Sequence, residues 1–232
     1  MFAAHFPFIN FPGLYFMRMH QERSYVLALE GAESLHGMYI GDGAVTYSLR
    51  QYGKYVLLGG EGHWTGKNQE GGRYGALRQT AQKYFPESWE AACWSAQDCM
   101  PADRIPYIGH YSVKTPQWYV ATGFGKWGMS SSMVSAMLLR DLLCGAENPC
   151  SNVFSPSRSP VGEIPGILKD AGHTAEGLAR RLSGKPPVCP HLGCRLERNP
   201  DEDTWECPCH GSRFDCYGKL LEGPAQEGFC HE

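Results

Sequence analysis

The sequence contains no long apolar run. No stretch of its 232 residues approaches the roughly 18 uncharged apolar residues that a membrane-spanning helix needs. The apolar opening, MFAAHFPFINFPGLYF, begins without basic residues, includes His5 and two prolines, and contains no small-residue cleavage site. It therefore lacks the pattern of a secretory signal peptide. These absences predict a soluble protein of the cytoplasm.

Basic residues are not in excess either. The chain has 21 Lys and Arg against 24 Asp and Glu, which gives a formal net charge of −3. Its Lys and Arg residues do not cluster with interleaved aromatic residues, as a nucleic-acid-binding surface requires. No Ser/His/Asp or Cys/His arrangement indicates a hydrolase. We therefore expect neither a nucleic-acid partner nor hydrolytic chemistry.

Cysteine, by contrast, is abundant. The chain has ten cysteines, and four of them lie between Cys189 and Cys209, beside His191 and His210. A disulfide scaffold would spread its cysteines along the chain, whereas clustering with histidine is typical of a metal site. The remaining cysteines are expected to be free thiols.

Composition divides the chain into three parts. Residues 1–150 alternate β-branched or aromatic runs with Gly and Asp turns, which predicts an antiparallel meander with helices. Residues 151–187 are rich in Pro and Ser and are predicted to be a linker. Residues 188–232 are too few for a strong core and are expected to be held together by what they bind. The predicted strands are Arg23–Leu29, Gly37–Asp42, Val45–Tyr52, Lys54–Gly60, Trp89–Ser95, Tyr107–His110 and Trp118–Ala121, and a helix is predicted over 73–85.

A second helix is predicted from Ser130–Ser132, which are good N-cap residues, to Cys144. Gly145 follows as the expected C-cap. Met133 and Met137 form part of an apolar stripe on this helix, and we expect them to pack in the core.

The strongest motif lies in the C-terminal part. Cys189 and His191 form C-x-H, and Cys207 and His210 form C-x-x-H. Two cysteines and two histidines suit tetrahedral zinc. They equally suit a Rieske [2Fe-2S] cluster, in which two histidines replace two cysteines on one iron. A metal-free disulfide knot is the third alternative.

The pattern C-x-H-x-G-C followed by C-x-C-H-G-S resembles the two-loop signature of the Rieske family, and every position of that signature is present. The resemblance implies that the cysteine of each C-x-H or C-x-x-H motif holds the buried iron and the histidine the outer, redox-active iron. It also implies a disulfide between the loops. The implied ligands are Cys189, His191, Cys207 and His210, and the implied disulfide is Cys194–Cys209.

The ligand set predicts the range of the redox potential. Neutral imidazoles remove negative charge, so Rieske potentials run from about −150 to +300 mV against roughly −400 mV for plant-type ferredoxins. Ser212 matches the family's hydroxyl donor to a bridging sulfide, whereas Phe214 stands where high-potential members have tyrosine. We therefore expect a potential in the lower or middle part of the range. Because few residues precede the first loop, the unit is expected to lean on residues 1–150.

Residues 1–150 resemble the C-terminal half of the FAD-dependent D-amino-acid/glycine oxidase superfamily, in its bacterial branch with a C-terminal Rieske domain, and the matching stretches cover most of residues 1–158. The matching stretches include AAHFPFINFPGLYFMRMHQERSYVLAL, DRIPYIGHY and ATGFGKWGMSSSMVSAMLLRDLL. The resemblance implies an α+β fold with a largely antiparallel sheet on the substrate side and a small all-β Rieske domain. The family's N-terminal βαβ unit, which grips FAD, has no match here. We therefore expect Met1 to be an internal start of a fragment that does not bind FAD tightly alone, with the missing half as a possible partner.

The stretch GFGKWG satisfies G-x-G-x-x-G, but no second strand with an acidic residue about 20 positions on follows it, as a dinucleotide fingerprint requires. The resemblance instead implies that this turn and the following helix N-terminus, with its partial positive charge, face the pyrimidine end of the flavin. A solvated lysine and core aromatics are the alternative interpretations. The candidate flavin residues are Gly123, Phe124, Gly125, Lys126, Trp127 and Gly128.

The resemblance implies oxidation of an amine or amino acid by hydride transfer to FAD, with electrons passing to the cluster and on to an external acceptor. Tyr47, Arg50 and Trp64 are candidate substrate contacts, and a structural role is the alternative for each. A stand-alone Rieske electron-transfer module without flavin catalysis is the competing function. A Rieske oxygenase is disfavoured, because no 2-His-1-carboxylate pattern is readable in residues 1–150.

Overall fold

A five-stranded antiparallel sheet, the central sheet, organises the first two thirds of the chain in the order β3-β4-β5-β2-β6. The computed structural model describes residues 1–42, 46–158, 164–180 and 187–229. The strands up to residue 122 are β1 (Phe2–Ala3), β2 (Met19–Glu30), β3 (Tyr39–Ile40), β4 (Ser48–Tyr52), β5 (Tyr55–Trp64), β6 (Trp89–Pro101), β7 (Tyr107–His110) and β8 (Tyr119–Thr122).

The predicted meander is correct for β3, β4 and β5 but wrong for β2. Strand β2 lies between β5 and β6, and its pairing with β6 extends from Met19↔Pro101 to Glu30↔Trp89. This strand is largely buried along its length, so it takes a central position, where both faces are covered, rather than an outer place beside β3. Val45 lies outside the described residues.

One face of the central sheet packs against α1 (Arg73–Tyr84), which confirms the predicted helix. Leu77 and Ala81 of this helix join Tyr25 and Leu27 of β2 in a common core. Tyr84, which the sequence placed on the same helix face, is 62% exposed.

A three-stranded sheet in the order β1-β8-β7 stands beside the central sheet, and β1 is parallel to β8. Helix α2 (Gly128–Cys144) covers this small sheet. Leu138 and Leu139 of the helix pack against Ile108 and Ala121. Among the helices of the described ranges, none is both long and apolar enough to cross a membrane.

Two details of α2 differ from the sequence expectation. Trp127 occupies the N-cap position, and the serines predicted to cap the helix are its third to fifth residues. Met133 and Met137 are 66% and 53% exposed, so their predicted place in the core is wrong. The buried face instead carries Ser131 and Ser135. Burial of Ser135 leaves no unpaired hydroxyl, because its Oγ donates a hydrogen bond of 2.7 Å to the Ser131 carbonyl.

The range predicted to be a linker contains helices α3 (Ser151–Phe154) and α4 (Ile164–Arg180). Arg158 fixes this range to residues 1–150, because its guanidinium forms a partly buried ion pair of 2.7 Å with Asp103. Helix α4 then crosses the end of β2 and the 3₁₀ turn Tyr15–Met17.

The C-terminal unit, residues 187–229, is a four-stranded antiparallel sheet in the order β12-β11-β10-β9. A small core with Leu196 and Phe214 fills it, together with four cysteines. The strands are β9 (Glu197–Asn199), β10 (Thr204–Glu206), β11 (Arg213–Phe214) and β12 (Leu220–Glu222).

A buried ion network joins the C-terminal unit to β2. The Arg23 side chain is 1% exposed and lies 2.7 Å from Glu202 and 3.6 Å from the fully buried Glu206. Arg213 of β11 lies 3.1 Å from the same Glu202 carboxylate. Buried charges are desolvated at high cost unless they are paired, so this network holds the two parts in one arrangement. The expected leaning of the unit on the first part is confirmed.

Close backbone contact adds to this interface at Gly66. Its φ is +79°, and an added Cβ would lie 2.7 Å from the Cα and N atoms of Pro208. Its N–H donates to the Glu206 carboxylate at 2.9 Å. The position therefore excludes any side chain.

The C-terminal unit also caps α1. The Asp201 carboxylate accepts hydrogen bonds from the N–H groups of Gly72 and Arg73, both at 3.1 Å. An acidic cap satisfies the unpaired N–H groups of a helix start and complements its dipole. Folding of α1 is thereby coupled to docking of the C-terminal unit.

We predict that Gly66→Ala destabilises the protein. The left-handed backbone alone costs about 1–2 kcal/mol with a side chain, and the contact with Pro208 adds to this. Chemical denaturation measures the change in the free energy of unfolding. Gly75→Ala is the matched control, because nothing lies within 4 Å of its added Cβ, and it should stabilise α1 by about 0.5–1 kcal/mol. Equal stability of Gly66→Ala and the wild type would contradict the described interface.

Arg23→Met should cost about 3–5 kcal/mol, because it leaves buried carboxylates without their partner. Arg78→Met is the control: Arg78 is 53% exposed and pairs with Glu90 at the surface, where a pair contributes about 1 kcal/mol or less. Thermal unfolding of both variants checks the difference. Similar losses in the two variants would show that the network does not hold the interface.

Candidate metal centre

The first loop, Cys189–Cys194, is closed by its own backbone. The Cys189 N–H donates to the Cys194 carbonyl at 2.8 Å, and the Gly193 N–H donates to the Cys189 carbonyl at 2.9 Å. Gly193 has φ +77°, a value that glycine adopts without strain. The glycine of the sequence motif therefore closes the turn.

The second loop, Cys207–Ser212, repeats this pattern. The Cys207 N–H donates to the Ser212 carbonyl at 2.8 Å, and the Gly211 N–H donates to the Cys207 carbonyl at 2.9 Å. Gly211 has φ +81°. The two loops thus have matching backbone hydrogen bonds, as their similar motifs suggested.

The sulfurs of Cys189 and Cys207 are buried next to each other, with each residue 1% exposed. A hydrogen bond shared by the two thiols lowers the pKa of Cys189 to about 7 and raises the pKa of Cys207. Each sulfur also accepts hydrogen bonds from backbone N–H groups of its own loop, which favours the thiolate. The donors are His191 and Leu192 for Cys189, and Cys209 and His210 for Cys207.

The two histidines present buried nitrogen atoms to the same region. Their rings are 4.9 Å apart between centroids, and among the described residues neither Nδ1 atom has a hydrogen-bond partner. Burial lowers the pKa of His191 to about 4 and that of His210 to about 3. Both imidazoles are therefore neutral near pH 7, which is the form that binds a metal.

The far sides of the imidazoles are held by the first part of the chain. His191 Nε2 forms a 2.9 Å hydrogen bond with Asn10 Oδ1. The Phe16 ring packs edge-on against His191 at 6.0 Å and against His210 at 5.5 Å. His210 is only 2% exposed, and an apolar cavity of about 260 Å³ between Phe16 and Ala171 of α4 borders it.

Cys194 and Cys209 form a disulfide between the loops, as the resemblance implied. Their sulfurs and that of Cys207 lie within 4.8 Å of one another, so the disulfide lies beside the paired thiols. The described cysteines outside the two loops are free thiols, as predicted. Cys230 lies outside the described residues. The free ones are Cys93, Cys99, Cys144, Cys150 and Cys216.

Ser212 and Phe214 follow the second loop, and both are fully buried. A hydrogen bond from the Ser212 side chain contributes to the lowered pKa of Cys189, and its Oγ accepts the Ala225 N–H at 3.0 Å. Phe214 packs 5.1 Å from Phe229 and offers no hydroxyl. The Ser212 hydroxyl is thus a side-chain hydrogen-bond donor to a ligand sulfur, whereas Phe214 cannot supply the second donor that a tyrosine at its position would provide.

This donor set fits a [2Fe-2S] cluster with mixed ligation. Since a disulfide occupies two of the four cysteines in the loops, two thiols remain, and two unpartnered imidazole nitrogens accompany them. Two sulfur and two nitrogen donors are what a Rieske centre requires. The motif alone did not predict that Asn10 and Phe16 would cover the two histidines.

Sequence reasoning missed the amide groups that hold the second loop. Gln21 Nε2 donates to the His210 carbonyl at 2.8 Å, and Gln97 Nε2 donates to the Gly211 carbonyl at 2.9 Å. Both glutamines are buried. The available signal was the polar pair Gln21 and Arg23 at alternate positions of an otherwise buried strand, which indicates a polar partner on that face.

The Gly-rich turn lies on the other face of the central sheet. Gly123 and Gly125 have φ +70° and +56°, and a Cβ on Gly123 would lie 2.7 Å from Pro101. Backbone conformation and packing therefore explain these glycines. Lys126 forms an ion pair of 3.3 Å with Glu22 of β2, so it is anchored to the sheet.

An open cavity of about 780 Å³ borders this turn and the start of α2 at Gly128. Trp127, Lys126 and Arg50 line it together with Trp94 of the sheet. A cationic side chain, a helix N-terminus and apolar walls fit one end of a flavin. The residues that line this cavity could not be predicted from the sequence, because the sheet brings together residues from distant strands.

The remaining candidates lie elsewhere. Phe124 is half-buried and packs on the core beneath α2. The Tyr47 hydroxyl donates to Glu61 at 3.0 Å. Tyr47 is not one of the described residues that line the cavity. Trp64 lies beside the second loop, where its indole N–H donates to the Pro208 carbonyl at 2.8 Å. Of the three candidate substrate contacts, the structure brings only Arg50 to the turn.

Two family models match the sequence. The model for FAD dependent oxidoreductases matches residues 6–142, and the model for the Rieske [2Fe-2S] domain matches residues 185–230. The two matches leave the intervening range, which carries α3 and α4, outside both.

Curated relatives named for iron-sulfur centres match the sequence. A Bacillus subtilis protein named for a Rieske 2Fe-2S centre, YhfW, is 36% identical over 268 aligned residues, which cover 96% of this chain and 52% of the relative. The chain thus spans about half the length of that relative. The cytochrome b6-f complex iron-sulfur subunit of Synechococcus elongatus is 53% identical over 38 residues, 16% of this chain and 21% of the relative.

A solved structure shares the fold. Glycine oxidase from Geobacillus kaustophilus superposes with a TM-score of 0.53 at 18% identity, over 61% of this chain and 40% of that chain. At this identity the likeness establishes the fold of the first part and nothing about its substrate.

We predict that Ser212→Ala lowers the midpoint potential of the centre. The hydroxyl donates to electron-rich sulfur, so its loss disfavours reduction by up to about 60 mV, the equivalent of a tenfold change for a one-electron couple. Protein-film voltammetry measures the potential. Ser132→Ala, on the exposed side of α2, is the control and should leave it unchanged. An unchanged or higher potential in Ser212→Ala would exclude this hydrogen bond.

Proposed function

Because this chain belongs to the FAD-dependent oxidoreductase family and ends in a Rieske [2Fe-2S] domain, we propose that it is the cluster-bearing part of a flavoenzyme. In this proposal the enzyme oxidises an amine or amino acid, and the electrons leave through the cluster to an external one-electron acceptor.

One observation carries the proposal: the metal centre and the Gly-rich turn lie on opposite faces of one sheet. Gln21 of β2 donates to the second loop, and the next residue, Glu22, pairs with Lys126 of the turn. Successive strand residues point to opposite faces. A single sheet layer therefore separates the two candidate redox sites.

The proposed cluster ligands are the two thiols and the two imidazoles of the loops, namely Cys189, Cys207, His191 and His210. A [2Fe-2S] cluster accepts and releases single electrons. The protein contributes backbone N–H donors to the ligand sulfurs. It also keeps the imidazoles neutral and covers His210 with α4 and the 3₁₀ turn.

The proposed flavin side uses the open cavity of the central sheet. Bound flavin supplies an acceptor for the hydride of the substrate. The helix start at Gly128 and the ammonium of Lys126 stabilise negative charge there, and Trp127 supplies apolar wall. Residues for the rest of FAD come, in this proposal, from a partner FAD-binding unit.

Arg50 is the proposed contact for a substrate carboxylate. It lines the same cavity as Lys126 and Trp127, and a guanidinium binds a carboxylate with two parallel hydrogen bonds. This arrangement supports an amino acid as the substrate over a simple amine.

The experiment that tests the cluster is anaerobic reconstitution followed by iron and sulfide analysis and electron paramagnetic resonance. We expect two irons and two sulfides per chain and a reduced signal whose average g lies below that of all-Cys ferredoxins. His210→Ala should lose the cluster and destabilise residues 187–229.

His36→Ala is the control, because His36 is exposed and far from the loops in sequence; it should keep a full cluster. Zinc without iron, or a full cluster in His210→Ala, would contradict the proposal. Reduction of the cluster by photoreduced FAD tests the flavin part, and a cluster that reduced FAD cannot reduce despite a favourable potential difference would contradict that part alone.

A further inference from the structure

Trp64 lies at the end of β5, directly against the second loop. Its indole N–H donates to the Pro208 carbonyl at 2.8 Å, and Pro208 follows the proposed ligand Cys207 in the chain. One hydrogen bond, the Pro208 backbone and the Cys207 residue therefore connect the indole to a proposed cluster sulfur.

Aromatic rings enclose the indole. The His20 ring of β2 is stacked on it, with centroids 3.8 Å apart and an interplanar angle of 5°. The His173 ring of α4 lies 4.5 Å away and tilted by 50°. Close stacking brings the π systems of His20 and Trp64 into van der Waals contact.

The contacts continue from His20 to the Gly-rich turn. His20 Nε2 lies 3.6 Å from a Glu22 carboxylate oxygen. The other Glu22 oxygen lies 3.3 Å from Lys126 Nζ. A series of side-chain contacts with distances of 3.8 Å or less thus leads from the proposed flavin side to the proposed cluster.

A second connection exists through β6. The Gly125 N–H donates to the Cys99 carbonyl at 2.9 Å, and Gln97, two residues earlier on the strand, donates to the Gly211 carbonyl at 2.9 Å. This route consists of saturated groups and amides. The Trp64 route also passes through saturated groups at Lys126, Glu22 and Pro208, but it contains a pair of stacked rings that the β6 route lacks. Because electronic coupling decays less steeply through stacked π systems than through saturated groups, the Trp64 route is the one that we propose.

We propose that Trp64, stacked on His20, is the bridge for electron transfer from reduced flavin to the cluster; the inference rests on the proposed function. In each transfer one electron leaves the reduced flavin and reduces the oxidised cluster by one electron. Oxidation of one substrate molecule therefore needs two transfers, and an external one-electron acceptor reoxidises the cluster after each. The indole is not itself oxidised but couples donor and acceptor.

The test uses the reconstituted chain under anaerobic stopped flow with photoreduced FAD at increasing concentrations, and the limiting rate at saturation is the rate of transfer from bound flavin. Cluster reduction is followed by the decrease of its visible absorbance and by its paramagnetic signal in samples frozen during the reaction. Trp64→Leu should slow reduction by an order of magnitude or more. His20→Leu, which keeps the bond to Pro208 and removes the stacking partner, should slow it in the same direction and serves where Trp64→Leu fails to assemble.

Trp118→Leu is the matched control, because Trp118 is partly exposed among aromatic side chains of the small sheet, and the wild-type rate is expected. Midpoint potential and g values are measured for every variant. A merely structural Trp64 would change these values or the cluster content, whereas a bridge changes the rate at an unchanged potential.

Wild-type rates in both Trp64→Leu and His20→Leu would overturn the bridge and leave the proposed function standing. Failure of reduced FAD to reduce the wild-type cluster despite a favourable potential difference would overturn the bridge together with the flavin part of the proposed function. A slow reduction confined to the two bridge variants, with potentials equal to that of the wild type, is the expected result.

Discussion

The structure depends on the buried contact between β2 and the C-terminal unit. Arg23 is desolvated and has carboxylates of the C-terminal unit as partners, so neither part can bury its charges without the other. The same strand supplies Gln21 to the second loop. Gly66 allows the backbones to meet there. A small unit with little core of its own thereby gains a rigid support for a metal centre.

This contact also determines the relation between the two candidate redox sites. Strand β2 presents Gln21 to the second loop, Arg23 to carboxylates of the C-terminal unit and Glu22 to the Gly-rich turn. Because the strand is central in its sheet, it cannot shift register without disturbing both faces. The sheet thus holds the cavity on one face at a fixed separation from the loops on the other.

The sequence predicted the local features well and the long-range ones poorly. The loop motifs, the Gly145 cap and α1 follow from short spacing rules, and the structure contains them. Trp64 was proposed as a substrate contact but lies at the second loop, and Met133 was expected in the core but is exposed. Both depend on which strands and helices become neighbours, and apolar character alone does not determine that.

The central claim is that the docked loops hold a [2Fe-2S] cluster through two imidazoles. Pulsed electron paramagnetic resonance of the reduced, reconstituted chain tests it most directly, since nitrogen atoms bound to iron give strong hyperfine couplings. The account predicts two such couplings in the wild type and loss of the whole signal in His210→Ala. A spectrum without strongly coupled nitrogen would contradict the account.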